Sequence, residues 1–217
     1  MSGSSAESTQ GLGLLAAAQA GEDLGQRLEQ LNAIGASLSA ERDINRLLES
    51  ILTAAKAITG ADGGTLYRVT DDQTLRFEIV RTTSLKYYLG GTTGTPVPFY
   101  PIHLLDKDGK PNHSMVAAYA ALTGKTVNIP DAYTAEGFDF SGTRNFDKKT
   151  GYRSKSFLTV PMKNHENQII GVLQLINAAD RRNGEIVPFS PSDQRLAESL
   201  ASQAAIALTN RMLIIQL

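Results

Sequence analysis

Residues 126–178, TVNIPDAYTAEGFDFSGTRNFDKKTGYRSKSFLTVPMKNHENQIIGVLQLINA, restrict the possible folds more than any other part of the chain. A short β-like run at 126–129 closes on Pro130-Asp131-Ala132-Tyr133, and a polar loop rich in Asp, Thr and Ser follows. Two apolar runs, 156–163 and 168–177, then flank the polar turn 164–167 and read as a hairpin. This order builds a small-molecule pocket, with one sheet face as floor and one polar loop as lid.

The segments on either side supply the rest of a domain. Leu24, Leu28, Leu31 and Leu38, with Gly35 at the intervening position and Ile34 beside it, follow the four-three spacing of a helical seam. The spacing fits a coiled coil and also an ordinary helix packed on its own domain. Ile44, Leu47, Leu48, Ile51, Leu52, Ala55 and Ile58 form one apolar face of a second helix, which Gly60 stops. Residues 63–70 and 74–82 form a hairpin across Asp71-Asp72-Gln73, and 83–112, rich in Gly, Pro and Thr, reads as loop with one short strand around 97–100. A short Ala-rich helix spans 114–122 and ends at Gly124. Ser190 reads as an N-cap, Pro191 as the first helical residue and Asp193 as favourable to the dipole. Leu196, Leu200, Ala204, Leu208, Met212 and Ile215 mark one face of that last helix.

The predicted class is α+β: a central antiparallel sheet of about six strands, helices on both faces, and long N- and C-terminal helices. Residues 1–20 are expected to be a disordered leader, because no Lys or Arg precedes the apolar 12–18 stretch as a signal peptide requires. Residues 21–41 form a connecting helix, 42–210 the domain, and 211–217 the start of a helix leading to an output domain outside the chain.

Composition removes several function classes. The net charge is −1, with Lys and Arg scattered singly, so nucleic acid is not expected as a partner. No apolar run is long enough to span a bilayer, and a cytoplasmic location is expected. The absence of cysteine excludes disulfides, thiolate metal sites, a cysteine nucleophile and sulfur-linked chromophores. His103, His113 and His165 lack ligand spacing, and no catalytic triad, carboxylate pair or phosphate loop is present. Neither catalysis nor a resident metal or cofactor is expected.

Ser154, Ser156, Thr159 and Gln174 put polar groups on or beside strands that are otherwise apolar. Left buried and unpaired, each would cost roughly 1–3 kcal/mol, so they either face solvent or line a ligand cavity. Asp147, Lys148, Lys149 and Thr150 fit a surface helix terminus as well as a binding lid. Asn128 and Asp131 read as structural, and Gly171 inside a strand signals close backbone approach or packing against the terminal helices.

Five blocks in order, NIPDAY (128–133), FDKKTGYRS (146–154), LTVPMKN (158–164), IGVLQLIN (170–177) and Phe189-x-x-x-Asp193, resemble the GAF domain. The likeness is to the cyclic-nucleotide-binding type of mammalian phosphodiesterases and cyanobacterial adenylyl cyclases, over about residues 47–208. The loop at 90–112 and the insert at 137–142 look more like bacterial GAF modules placed ahead of an output domain. The family's Asn-Lys…Phe-x-x-x-Asp-Glu signature is kept at Asn177, Phe189 and Asp193 but is Ala178 at the lysine and Gln194 at the glutamate. In the family that lysine pairs with the aspartate and braces the pocket; Arg181 or Arg182 is the expected substitute here.

The resemblance implies ligand contacts at Thr65 toward the base, at Val116 and Ala117 where helix N–H groups meet phosphate, at Asp147, Thr150 and Ser154 in the lid, and at Gln174 beneath the pocket. It implies a regulatory sensor that binds cyclic AMP or cyclic GMP, dimerises through its terminal helices and signals to an output domain. The alternative is a ligand-free dimerisation and signalling platform. The free methionine sulfoxide reductases of the same family need a thiolate, which this chain lacks.

Overall fold

Local signals set the ends of the first elements. Asp43 accepts a hydrogen bond from the Arg46 N–H at 2.9 Å and so opens α2 (Ile44–Thr59), and Gly60 closes it in the left-handed region at φ 73°. The computed structural model describes residues 4–215, with side chains from Leu14 onward except at 16 and 20. Ahead of α2 lies α1 (Ser4–Ala40). The expected leader is therefore replaced by helix from Ser4, while residues 1–3 lie outside the described residues. Residues 4–20 contain no proline and are rich in Ala and Leu, which favour helix.

The predicted first hairpin is β1 (Ala61–Val69) with β2 (Thr74–Thr82). β3 (Tyr87–Gly90), a 3₁₀ turn (Gly91–Thr93) and β4 (Ile102–His103) follow. The strand expected around 97–100 is absent: Pro96, Pro98 and Pro101 leave too few N–H donors for a ladder. α3 (Val116–Thr123), β5 (Val127–Ile129), β6 (Phe157–Lys163) and β7 (Ile169–Ala179) fall where the pattern placed them. The polar lid is not all loop but carries α4 (Ser141–Thr150), ended by Gly151 at φ 74°. β8 (Ile186–Val187), too short to read from pattern, precedes α5 (Pro191–Ile215). Ser190 Oγ accepts from the Asp193 N–H and Asp193 accepts from the Ser190 N–H, both at 3.0 Å, a reciprocal cap.

All the strands join one antiparallel sheet in the order β3-β2-β1-β7-β6-β5, with β4 on β2 and β8 on β7. Alternation sorts its two faces. Leu66, Ile79, Leu158, Val160, Leu173 and Leu175 point into the main core with α1, α2 and α5. Tyr67, Leu75 and Val172 point to the other face, under the alanines of α3. Gly171 is a close-approach site: a Cβ there would stand 2.4 Å from the Tyr67 carbonyl oxygen of β1.

On α1, Leu31 and Leu38 are buried in the main core, whereas Leu24 and Leu28 are exposed. Half of the predicted seam is thus spent inside the chain. Gly35 leaves room for the Gln203 side chain of α5.

Candidate functional site

The α3-side face of the sheet carries one polar rung. Thr65 of β1 pairs in register with Gln174 of β7, and Gln174 with Thr159 of β6, so three polar side chains lie side by side across the central strands. All are buried. The Tyr67 hydroxyl donates to Gln174 Oε1 at 3.3 Å, and Gln174 Nε2 donates to Thr159 Oγ1 at 3.1 Å. These bonds orient the amide and leave it a second N–H and a second lone pair. Burial pushes the Tyr67 phenol well above its ordinary pKa, so it remains a neutral donor.

Above the rung is a cavity of about 320 Å³, at the lower end of the size usual for small-ligand sites. Thr65, Val116, Ala117, Ser154 and Gln174, five of the predicted contacts, line it. Seven aromatic residues share the remaining wall: Tyr67, Phe77, Phe99, Phe140, Phe146, Tyr152 and Phe157. These rings escaped the sequence reading. Only Tyr67, Phe77 and Phe157 carried a signal, their place in the strands of the two hairpins; the others come from loops and from α4. The one charged side chain in the lining is Asp139, whose carboxyl is held below its usual range by hydrogen bonds from Ser141. α3 meets the cavity with its first turn, and its N-cap, Met115, offers no side-chain acceptor, so the leading N–H groups remain available to an anion.

Two predicted contacts are placed elsewhere. Asp147 is buried, and its carboxylate accepts from the Tyr133 hydroxyl at 2.7 Å, the Ser154 N–H at 2.8 Å and the Ser154 hydroxyl at 2.7 Å. It ties α4 to the segment that leads into β6 and is absent from the cavity lining. Thr150 is exposed and returns its hydroxyl to the Phe146 carbonyl at 2.8 Å, inside its own helix. Around Asp147 the lid is pinned further. Arg153 lies 3.6 Å over the Tyr133 ring and donates to Asp131 at 2.8 and 2.9 Å. Tyr152 donates to Asp62 at 2.7 Å; burial and then that carboxylate push its phenol upward.

The signature residues act as a frame. Asn177, at φ 60°, accepts from the Lys155 N–H at 2.7 Å and donates to the Arg153 carbonyl at 2.8 Å, locking the end of the lid to β7. Phe189 is buried, and its carbonyl accepts from Asn128 at 3.0 Å. Neither Arg181 nor Arg182 pairs with Asp193: Arg181 reaches Asp23 and the Ile58 carbonyl, and Arg182 reaches Asp180. The partner of Asp193 is Arg27 of α1, which also donates to the Ile58 carbonyl at 2.9 Å. The two side chains are only 11% and 13% exposed.

Sheet face, helical lid and cavity define an α+β domain with a pocket above its central strands. The family model for the GAF domain matches residues 43–208, and the chain belongs to that family. A 98-residue stretch is 38% identical to the dual 3',5'-cyclic-AMP and -GMP phosphodiesterase 11A of Takifugu rubripes, covering 45% of this chain and 10% of that protein. A stretch of equal length is 39% identical to the dual 3',5'-cyclic-AMP and -GMP phosphodiesterase 11 of Drosophila melanogaster, covering 45% of this chain and 6% of that protein. The matches thus span a tenth or less of these relatives. Among solved structures, the GAF domain of an Acinetobacter phosphoenolpyruvate-protein phosphotransferase superposes with a TM-score of 0.62 at 14% identity, over 88% of this chain and 98% of that one, a likeness of fold. GAF domains are regulatory sensor domains of signalling-type proteins, where they connect to output domains. No described helix is long and apolar enough to cross a membrane.

Proposed function

We propose that this GAF domain is a non-catalytic, cytoplasmic sensor of a bacterial signalling protein. It takes cyclic AMP or cyclic GMP into the cavity above the Thr65–Gln174–Thr159 rung. The observation that carries the reading is that rung: an oriented amide with spare donor and acceptor capacity on the floor of an aromatic box. Gln174 and Thr65 would meet base edges, Ser154 would face the ligand from the lid, and the Val116 and Ala117 N–H groups would receive the cyclic phosphate. The relatives whose printed names include cyclic AMP and cyclic GMP support the choice of ligand. Signalling further requires unequal affinity for two arrangements of the terminal helices, which would pair across a homodimer and lead to an output domain.

Isothermal calorimetry and thermal melting with both cyclic nucleotides test the site. Saturation at a hundred times the dissociation constant should stabilise the domain by about 2.7 kcal/mol, and Thr65→Val with Gln174→Leu should remove that gain. A folded wild-type chain that neither nucleotide stabilises would sink the sensor reading. A second reading, a ligand-free dimerisation platform, is favoured by the apolar side chains that the terminal helices leave exposed, Leu24, Leu28, Leu213, Ile214 and Ile215.

A further inference from the structure

Part of the cavity wall is a strap, residues 95–101, between the 3₁₀ turn and β4. The Gly90 N–H donates to the Thr95 carbonyl at 2.7 Å, and the next backbone pairing is Ile102 with Leu75. Between those two points Pro96, Pro98 and Pro101 have no N–H, and Val97, Phe99 and Tyr100 make no backbone hydrogen bond among those described. Three prolines in six residues hold such a segment extended without any ladder, so it can move as a stiff flap at small entropic cost. Tyr100 is 92% exposed, and Phe99, though 39% exposed, also lines the wall.

Phe99 is also the outer end of an aromatic chain. Its ring meets Phe77 edge-on at 5.3 Å, and Phe77 lies 4.7 Å from Tyr67, the residue that orients Gln174. The cavity lining holds no Lys or Arg, and its single charge is the Asp139 carboxylate. Ionic attraction therefore cannot supply much of the affinity for an anion, whereas contact with the seven rings of the lining can.

We infer that Phe99 is a ligand-stacking residue, carried on a strap that closes over a planar heteroaromatic ring. Recognition then resides in the ring more than in the phosphate. The inference rests on the sensor reading above and deepens it.

The chain has no tryptophan, so Phe99→Trp places a sole reporter on the strap. Its emission is followed while cyclic AMP, cyclic GMP, adenosine and guanosine are titrated, with calorimetry on the wild type alongside. The expected result is an emission change that saturates with the calorimetric heat. Phe99→Ala, verified as folded by its melting curve, should bind about ten- to a hundred-fold more weakly, whereas Tyr100→Ala should bind as the wild type does. The preferred nucleoside should bind within about ten-fold of its cyclic nucleotide, since the phosphate meets no basic side chain. The inference is overturned, and the sensor reading stands, if wild type and Phe99→Ala bind a cyclic nucleotide equally. The same holds if the tryptophan is silent at saturation or the nucleosides bind a hundred-fold more weakly than the cyclic forms. If the wild type binds none of the four compounds, the sensor reading itself fails and takes the inference with it.

Discussion

Asp147 illustrates how a residue type can be right for a ligand and yet be engaged elsewhere. Its three internal hydrogen bonds leave the carboxylate satisfied by Tyr133 and Ser154. Asp147→Ala strands those donors and should cost about 2–3 kcal/mol, lowering the melting temperature by roughly 4–12 °C, with Asp147→Asn intermediate. Calorimetric melting checks this, and an unchanged melt would show that the lid does not depend on the anchor. Three phenols make a second residue-scale prediction. Tyr67 and Tyr152 are raised by burial and Tyr133 by its bond to Asp147. A group whose folded pKa is raised contributes stability in full below its unfolded pKa, here about 10, and loses it as pH climbs beyond. Stability should therefore fall above about pH 10, with part of the tyrosinate absorbance at 295 nm rising only as the protein unfolds. If all seven tyrosines titrate together near 10 without unfolding, the burial is misassigned. Thr65, Ser154 and Gln174 were legible from residue type, strand pattern and family motif. Thr150 was misleading because its hydroxyl is claimed by the preceding helical turn, which composition does not reveal.

At the scale of elements, the junction of α1, α2 and α5 depends on Arg27. It bridges the Asp193 carboxylate and the Ile58 carbonyl from a helix that pattern alone made a mere connector. Removing one member of a pair this buried leaves an uncompensated charge, so Arg27→Ala should cost about 3 kcal/mol. Hydrogen exchange at the start of α5 should rise with it, while Arg181→Ala and Arg182→Ala should each cost under about 1 kcal/mol, as exposed pairs do. Equal effects from all three would contradict the assignment. The helices and the two hairpins were readable because caps and periodicity are local. α4 was not, since its start rests on Asp139 accepting from the Ser141 N–H inside a segment whose composition is that of a loop. The strap was misread as strand for a related reason: Val97 to Tyr100 has strand-like residues, but the prolines around them remove the donors.

Over the whole molecule, α1 and α5 run in the same direction, Arg27 beside Asp193 and the Ser39 carbonyl beside Arg211 at 3.0 Å. Their exposed Leu24, Leu28, Leu213, Ile214 and Ile215 are the surface on which the proposed homodimer rests. Leu24→Glu with Leu28→Glu should turn a dimer into a monomer by sedimentation without lowering the melting temperature of the domain. A wild type that sediments as a monomer at high concentration would dismiss that dimer. What the sequence determined by itself was the α+β class, the helices that begin near Ile44 and after Ser190, and the two main hairpins, because alternation and capping act over a few residues. Only the tertiary structure decided that Asp147 looks inward, that Asp193 finds Arg27 at a separation of 166 residues, and that seven rings converge on one cavity. Those outcomes depend on where distant segments meet, and a buried polar group or ring takes its role from whichever neighbours arrive there.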